Sequence, residues 1–291
     1  MDVQLRPRRS VLYMPAANAR ALEKAKTIAA DALIFDLEDA VAPDAKDLAR
    51  QQAVAAAASG EYGNREITIR CNGLDTPWGE ADIAAAAQAA PSAIVIPKVT
   101  GVSHLGQIAS AMEASGAPSH TMIWAMVETP EGILAARDIA AFDRVSVLVM
   151  GTNDLAKELR AVQTPGRHAL VPHLATAILA ARAEGKIILD GVFNDIANAE
   201  GFEAEALQGF EMGFDGKTLV HPSQVGPANE IWAPDAGEIE HAQKVIAAFE
   251  EAEAEGRGVI TVDGRMIENL HVESARRALA VAAAIAEMEV G

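Results

Sequence analysis

The feature that most narrows what this chain can fold into is a rhythm. Eight short apolar or β-branched runs alternate with alanine-rich stretches of helical periodicity. Continuous apolar runs suit strands of a parallel sheet buried on both faces. The first run is Val11 to Met14, with a predicted helix over Asn18 to Ala29. Ala32 to Phe35 leads into a helix from Asp44 to Ala58, and Ile67 to Cys71 into one from Pro77 to Ala89. Ala93 to Ile96 precedes a helix near His104 to Glu113, and Met122 to Val127 one from Pro130 to Ala140. Val145 to Met150 is followed by a long helix from His168 to Glu184. Ile187 to Val192 leads to Ala199 to Met212, and Lys217 to Val220 leads to Pro222 to Trp232.

Eight such units predict a TIM (β/α)8 barrel, a fold that occupies roughly 250 residues. The chain has 291. A doubly wound open sheet is the competing architecture, and the lack of a G-x-G-x-x-G or P-loop motif weakens it. The barrel is expected over 1–234. Residues 235–291 are read as an appended C-terminal helical segment, a lid or oligomerisation element. In it, Ala236 to Glu255 forms a charged amphipathic helix broken at Gly256-Arg257-Gly258. Val259 to Val262 is a short strand, Asp263-Gly264 a turn, and Met266 to Glu289 a second long helix.

The net charge of −17 repels phosphate backbones, which argues against nucleic acid. No uncharged apolar run is long enough to span a bilayer, so no membrane partner is expected. The single cysteine, Cys71, excludes an internal disulfide, and its apolar flanks favour a packed thiol. Arg6, Arg8 and Arg9 precede a short apolar run, but Pro15 ends it too early for a signal peptide. A cytoplasmic location follows as the expectation.

Polar residues gather where the apolar runs end. Asp36, Glu38 and Asp39 follow the second run, and Arg70 and Asn72 the third. Lys98 ends the fourth, Glu128 the fifth, Asp154 follows the sixth, and His221 ends the eighth. In a barrel these ends converge on the face that carries active sites. Ordinary capping and loop polarity is the alternative, and it suits Arg70 poorly, since a guanidinium inside Ile-Thr-Ile-Arg-Cys-Asn needs a partner. Glu128 and Asp154 on adjacent strand ends suit Mg²⁺, which takes one or two protein carboxylates plus substrate oxygens. Two unrelated loop acids would read the same way.

At these residues the chain resembles the citrate lyase β-subunit-like family of CoA-ester lyases, whose relatives include malyl-CoA lyases. The matching stretches are Arg9-Ser10-Val11-Leu12-Tyr13-Met14-Pro15, Asp36-Leu37-Glu38-Asp39-Ala40-Val41, Ile69-Arg70-Cys71-Asn72-Gly73 and Ile96-Pro97-Lys98-Val99. They continue with Val127-Glu128-Thr129-Pro130-Glu131-Gly132 and Gly151-Thr152-Asn153-Asp154-Leu155. The last are Lys217-Thr218-Leu219-Val220-His221-Pro222-Ser223-Gln224 and Gly264-Arg265-Met266-Ile267-Glu268. Together they cover nearly the whole chain in order.

The resemblance implies a TIM barrel whose C-terminal segment closes over a neighbouring subunit's site, in a homo-oligomer that is a trimer or hexamer. It implies Glu128 and Asp154 as Mg²⁺ ligands, with Mn²⁺ as a substitute, and Arg70 on a substrate carboxylate or carbonyl oxygen. Tyr13 and Lys24 would meet the coenzyme A moiety of an acyl-CoA substrate, Glu38 and Asp39 would order the basic groups, and His221 would line the pocket near the thioester. Glu268 stands where these lyases carry an acid/base aspartate. Three departures stand out: Pro15-Ala16-Ala17-Asn18 in place of a Pro-Gly start, Asn153 in place of an acid, and Glu268 in place of Asp. One added methylene shifts a carboxylate by about 1.5 Å, and misplacement on that scale can lower rate roughly 100-fold.

The leading expectation is an Mg²⁺-dependent C–C lyase that cleaves a malyl-CoA-like 3-hydroxyacyl thioester by retro-Claisen chemistry to acetyl- or propionyl-CoA and glyoxylate. A (3S)-malyl-CoA thioesterase on the same scaffold is the first alternative, and a non-catalytic CoA-binding subunit the second. Which thioester is used, and whether Glu268 serves its own subunit or a neighbour, stay open at this point.

Overall fold

The structure is a computed structural model that describes residues 6–254 and 260–290. The chain divides into two compact units: Arg8–Ile231, and the chain from Trp232 onward with Arg6 and Pro7.

The first unit is a (β/α)8 barrel. Its strands are β1 (Ser10–Pro15), β2 (Ala32–Asp36), β3 (Glu66–Arg70), β4 (Ala93–Ile96), β5 (Met122–Val127), β6 (Val145–Met150), β7 (Ile187–Asp190) and β8 (Gly216–Leu219). They pair in chain order and all in parallel, and β8 closes on β1 with Ser10 opposite Lys217 and Leu12 opposite Leu219. Open-sheet edges are therefore absent from this unit, and the doubly wound alternative is ruled out.

Side chains alternate across each strand. Val11, Ala32, Ile34, Ala93, Val95, Trp124, Val147, Val149 and Leu189 form one buried cluster that fills the barrel. The other parity, with Leu12, Leu33, Phe35, Ile94 and Leu148, is equally buried under the surrounding helices. Following the inward parity along its strand leads to Tyr13, Asp36, Arg70 and Glu128, with Thr218 on β8. The outward parity leads to Asp190 and Lys217, which are fully buried with Arg167 and Glu205 in an ion cluster between β7, β8 and the helix Ala199–Met212.

Element ends differ from the sequence reading where local chemistry intervenes. The helix expected from Asn18 starts at Ala19, because the Asn18 side chain accepts from Ala21 N–H as an N-cap, and it ends at Ala25. The helix expected over Pro130 to Ala140 is two, Pro130–Leu134 and Ala136–Ala141, parted at Ala135. A short helix, Thr152–Glu158, follows β6, and the long one begins only at Val171, with Pro172 in its first turn. Cys71 is buried and its thiol is pushed well up by burial, as a packed residue.

In the second unit, the helix Ala236–Ala254 packs with the helix Asn269–Val290. A hairpin of β9 (Ile260–Val262) and β10 (Arg265–Ile267) lies between them in sequence, turning at Asp263 and Gly264. Both turn residues have positive φ, 50° and 77°, as a two-residue hairpin turn demands. Met266 and Ile267, expected to open the last helix, are thus in a strand. The expected breaker at Gly256–Gly258, with Glu255 and Val259, lies outside the described residues. Val245, Ile260, Val262, Ile267 and Val272 form this unit's own core.

At the barrel seam a Cβ on Gly216 would overlap the carbonyl oxygen of Arg8. Gly216→Ala is expected to destabilise the protein by about 1–3 kcal/mol through overpacking, read as a lowered urea midpoint by circular dichroism.

Candidate active site

A cavity of about 320 Å³ is lined by residues from the C-terminal strand ends, among them Tyr13, Asp36, Arg70, Glu128 and Asp154. Asp36 and Arg70 are direct partners in the β2–β3 register, so their side chains emerge side by side on the inward face. Arg70 Nε and Nη2 grip the two Asp36 oxygens at 2.6 and 2.7 Å. Asp36 also accepts the backbone N–H groups of Glu38 and Ala40, which turns the chain sharply after β2. That turn sets Glu38 Oε2 2.9 Å and Asp39 Oδ2 3.5 Å from Arg70 Nη1. Lys46, beneath, donates to the carbonyls of Leu37 and Glu38 and to Asn72 Oδ1. The Arg70 guanidinium lies 4.8 Å above the centre of the Tyr13 ring.

The electrostatics follow from this packing. Burial alone would raise the Asp36 carboxyl, but the Arg70 charge and its hydrogen bonds hold it below the usual range. Glu38 goes the other way: burial outweighs Arg70 and pushes it up. Tyr13 is pushed far up by burial, so its phenol stays protonated.

Glu128 stands at the end of β5 and is 2 % exposed. One of its oxygens accepts the Lys98 N–H at 2.8 Å, a donor presented by a left-handed backbone at Lys98, φ 50°. Its second oxygen lies against Gly151, where any Cβ would overlap it. Burial, with the charges of Glu38 and Asp154 added, pushes its carboxyl up to about 8. Asp154 sits in the first turn of the helix Thr152–Glu158 and is half-buried.

Two carboxylates with no His or Cys beside them suit a hard divalent cation that completes its shell with water and ligand oxygens. Among the described residues no group of three or more His, Cys, Asp or Glu is placed to hold an ion. The raised Glu128 carboxyl fits the same reading, since a cation beside it would favour its charged form.

The surroundings of the other residues singled out in the sequence are as follows. Lys24 is exposed in the last turn of the helix Ala19–Ala25. His221 is exposed at the N-cap of the 3-10 turn Pro222–Gln224, its Nδ1 accepting the Ser223 N–H. Glu268 belongs to the second unit, where its backbone N–H donates to His271 Nδ1 ahead of the last helix. Lys98 Nζ reaches Glu38 Oε1 at 3.4 Å. Sequence reasoning gave no role to Asp36, although its inward parity was readable. It also missed the amide cluster in which Asn194 and Gln163 both bond Asn153, because loop partners leave no periodic signal.

A carboxyl raised above its ordinary value near 4.5 keeps its proton in the folded state after the unfolded chain has lost it. Its contribution is therefore most favourable at low pH and is lost as pH rises toward about 8. In EDTA, urea midpoints measured across that window should show this downward component, and Glu128→Gln should remove it.

The residues 9–222 match the model of the HpcH/HpaI aldolase/citrate lyase family. The chain is 50% identical over 286 residues, 98% of both chains, to a (3S)-malyl-CoA thioesterase of Cereibacter sphaeroides. It is 32% identical to an L-malyl-CoA/β-methylmalyl-CoA lyase of Rhodobacter capsulatus, covering 92% of each. Among solved structures, protein CitE of Mycobacterium tuberculosis in complex with magnesium, acetoacetate and coenzyme A superposes with a TM-score of 0.77 at 28% identity, covering 94% of this chain and 97% of that one. With a family model spanning most of the barrel and relatives matched over nearly their full length, the chain belongs to the HpcH/HpaI aldolase/citrate lyase family.

Proposed function

We propose that this protein hydrolyses (3S)-malyl-CoA, or a closely similar 3-hydroxyacyl-CoA, to the free acid and coenzyme A, with Mg²⁺ held by Glu128 and Asp154. The observation that carries this reading is the 50% identity, over 98% of both chains, to the Cereibacter sphaeroides thioesterase. The C–C lyase expected first from the sequence takes second place for that reason: relatives named as lyases are at 32% to 35%. The magnesium and coenzyme A of the Mycobacterium tuberculosis structure support the choice of cofactor and substrate class.

The chemistry asked of the site is modest in its parts. A malyl thioester presents a carboxylate, a hydroxyl and a thioester carbonyl. Arg70, locked by Asp36, would orient the carboxylate end with its remaining N–H groups. Glu38 and Asp39 hold that guanidinium in place. Mg²⁺, when bound, supplies a Lewis acid for the hydroxy-acid oxygens and offsets the negative charge of the cavity. Water adds to the thioester carbon, the carbonyl electrons move to oxygen, and their return breaks the C–S bond. The water gives up its proton to a base and the departing thiolate takes one up. Glu268 is the base in this reading, a role taken from the family resemblance. Retro-Claisen cleavage would use the same Arg70, Glu128 and Asp154, with the substrate hydroxyl losing the proton instead.

Purified protein given (3S)-malyl-CoA with Mg²⁺ should release free thiol and malate without glyoxylate, and EDTA should suppress the reaction. Glyoxylate without free thiol would replace this reading with the lyase; no turnover of either kind would leave the non-catalytic subunit. Glu128→Gln should lower kcat/KM by about 10²-fold or more through loss of the metal ligand. Glu268→Gln should lower kcat by about 10²–10⁴-fold with little change in KM, as for a lost general base.

A further inference from the structure

The Tyr13 phenol is a donor without a worthwhile acceptor. Its ring carries the Arg70 guanidinium at 4.8 Å and packs against the apolar cluster of the barrel. Among the described residues its hydroxyl contacts one group, Met126 Sδ, at 4.0 Å. A thioether sulfur is a weak acceptor, and that distance is at the limit of a sulfur hydrogen bond. Yet the side chain lines the cavity together with Arg70, Glu128 and Asp154. A half-buried tyrosine at the wall of a cavity, with its hydroxyl held only by a sulfur at 4.0 Å, is arranged to meet a ligand oxygen.

The kind of oxygen follows from the neighbours. The charged ends of a hydroxy-acid ligand are matched by charged groups: Arg70 on one side, and Glu128 with Asp154 around a cation on the other. A neutral donor is poorly matched to those ends and well matched to a carbonyl oxygen, which acquires charge only as the reaction proceeds. Arg70 adds to the effect. Its positive charge, stacked on the ring, makes the phenol a stronger donor, while burial prevents the phenol from ionising and turning into a repulsive anion. Loss of that proton would put a negative charge beside Asp36, Glu38 and Glu128, the very groups whose charges oppose it.

We propose that the Tyr13 hydroxyl, unclaimed apart from Met126 Sδ at the cavity wall, donates a hydrogen bond to the thioester carbonyl oxygen and holds the negative charge that gathers there. This makes Tyr13 a catalytic residue of the reaction proposed above, and the inference rests on that reading. No proton is transferred: the carbonyl electrons move to the oxygen as water adds, Tyr13 holds them there, and they return as the C–S bond breaks. The same bond would stabilise the enolate oxygen of the lyase reaction.

Tyr13→Phe removes the hydroxyl and keeps the ring, its packing and the guanidinium stack. With (3S)-malyl-CoA and Mg²⁺, its kcat should fall about 10²–10³-fold, as for removal of a single oxyanion donor. KM should stay within about threefold of the parent value, because the bond strengthens only along the reaction. A coenzyme A thioether of the same acyl shape, with a methylene in place of the carbonyl, should bind parent and variant alike. Met126→Leu, which replaces the thioether with a hydrocarbon of similar volume, should keep kcat. A Tyr13→Phe enzyme with kcat within twofold of the parent, or one whose loss lies in KM alone, overturns the inference. So does weakened binding of the thioether, which would mark a structural role. A parent protein inactive on malyl-CoA with Mg²⁺ would instead overturn the proposed function, and the two failures are told apart by the parent assay alone.

Discussion

The fork between Asp36 and Arg70 is the interaction on which the catalytic face depends. It joins two strands in register, turns the chain after β2 through two backbone N–H groups, and brings Glu38 and Asp39 onto the same guanidinium. It also fixes the plane that stacks on Tyr13. A guanidinium this deeply buried is tolerated because its planar donors find matched acceptors. Removing one partner of such a buried pair costs about 3–5 kcal/mol, because the other charge is stranded. Asp36 therefore contributes to site geometry and to folding at the same atoms.

Around that fork the site carries more negative than positive charge, and its carboxyls respond differently according to their neighbours. Asp36, with two hydrogen bonds from Arg70, is held low. Glu128, with one backbone N–H and two acidic neighbours, is held high. The contrast separates a carboxylate fixed by a guanidinium from one whose burial and acidic neighbours oppose its charge. Lys98 links the two regions, its backbone bonded to Glu128 and its ammonium near Glu38, in a left-handed conformation that a non-glycine residue adopts at some energetic cost. The second buried ion cluster, Arg167, Asp190, Lys217 and Glu205, has the opposite strand parity and ties β7 and β8 to a helix.

Much of this is legible in the sequence. The eight apolar runs coincide with the eight strands to within a residue or two, because a strand buried on both faces leaves a continuous apolar signature. The polar ends at Arg70, Glu128 and Asp154 gather around one cavity, because a parallel barrel brings every strand end to the same side. Boundaries were read less well where a few atoms decide them. Asn18 caps a helix one residue later than the periodicity suggests, and Met266 and Ile267 join a hairpin because a positive-φ turn precedes them. The helix Thr152–Glu158, which carries Asp154, is too short to show a period of its own.

The order of strands and helices, the closure into a barrel and the family motifs at the strand ends were determined by the sequence, since each depends on residue type and spacing along the chain. Tertiary structure decided which polar residues meet. Asp36 and Arg70 are 34 positions apart and become partners through strand register alone. Lys98 and Glu128, 30 apart, meet through a backbone conformation that spacing does not encode. The weakly held Tyr13 hydroxyl is likewise a fact of three dimensions: whether a donor finds an acceptor depends on what the neighbouring strands place within reach, and here that is a sulfur at 4.0 Å.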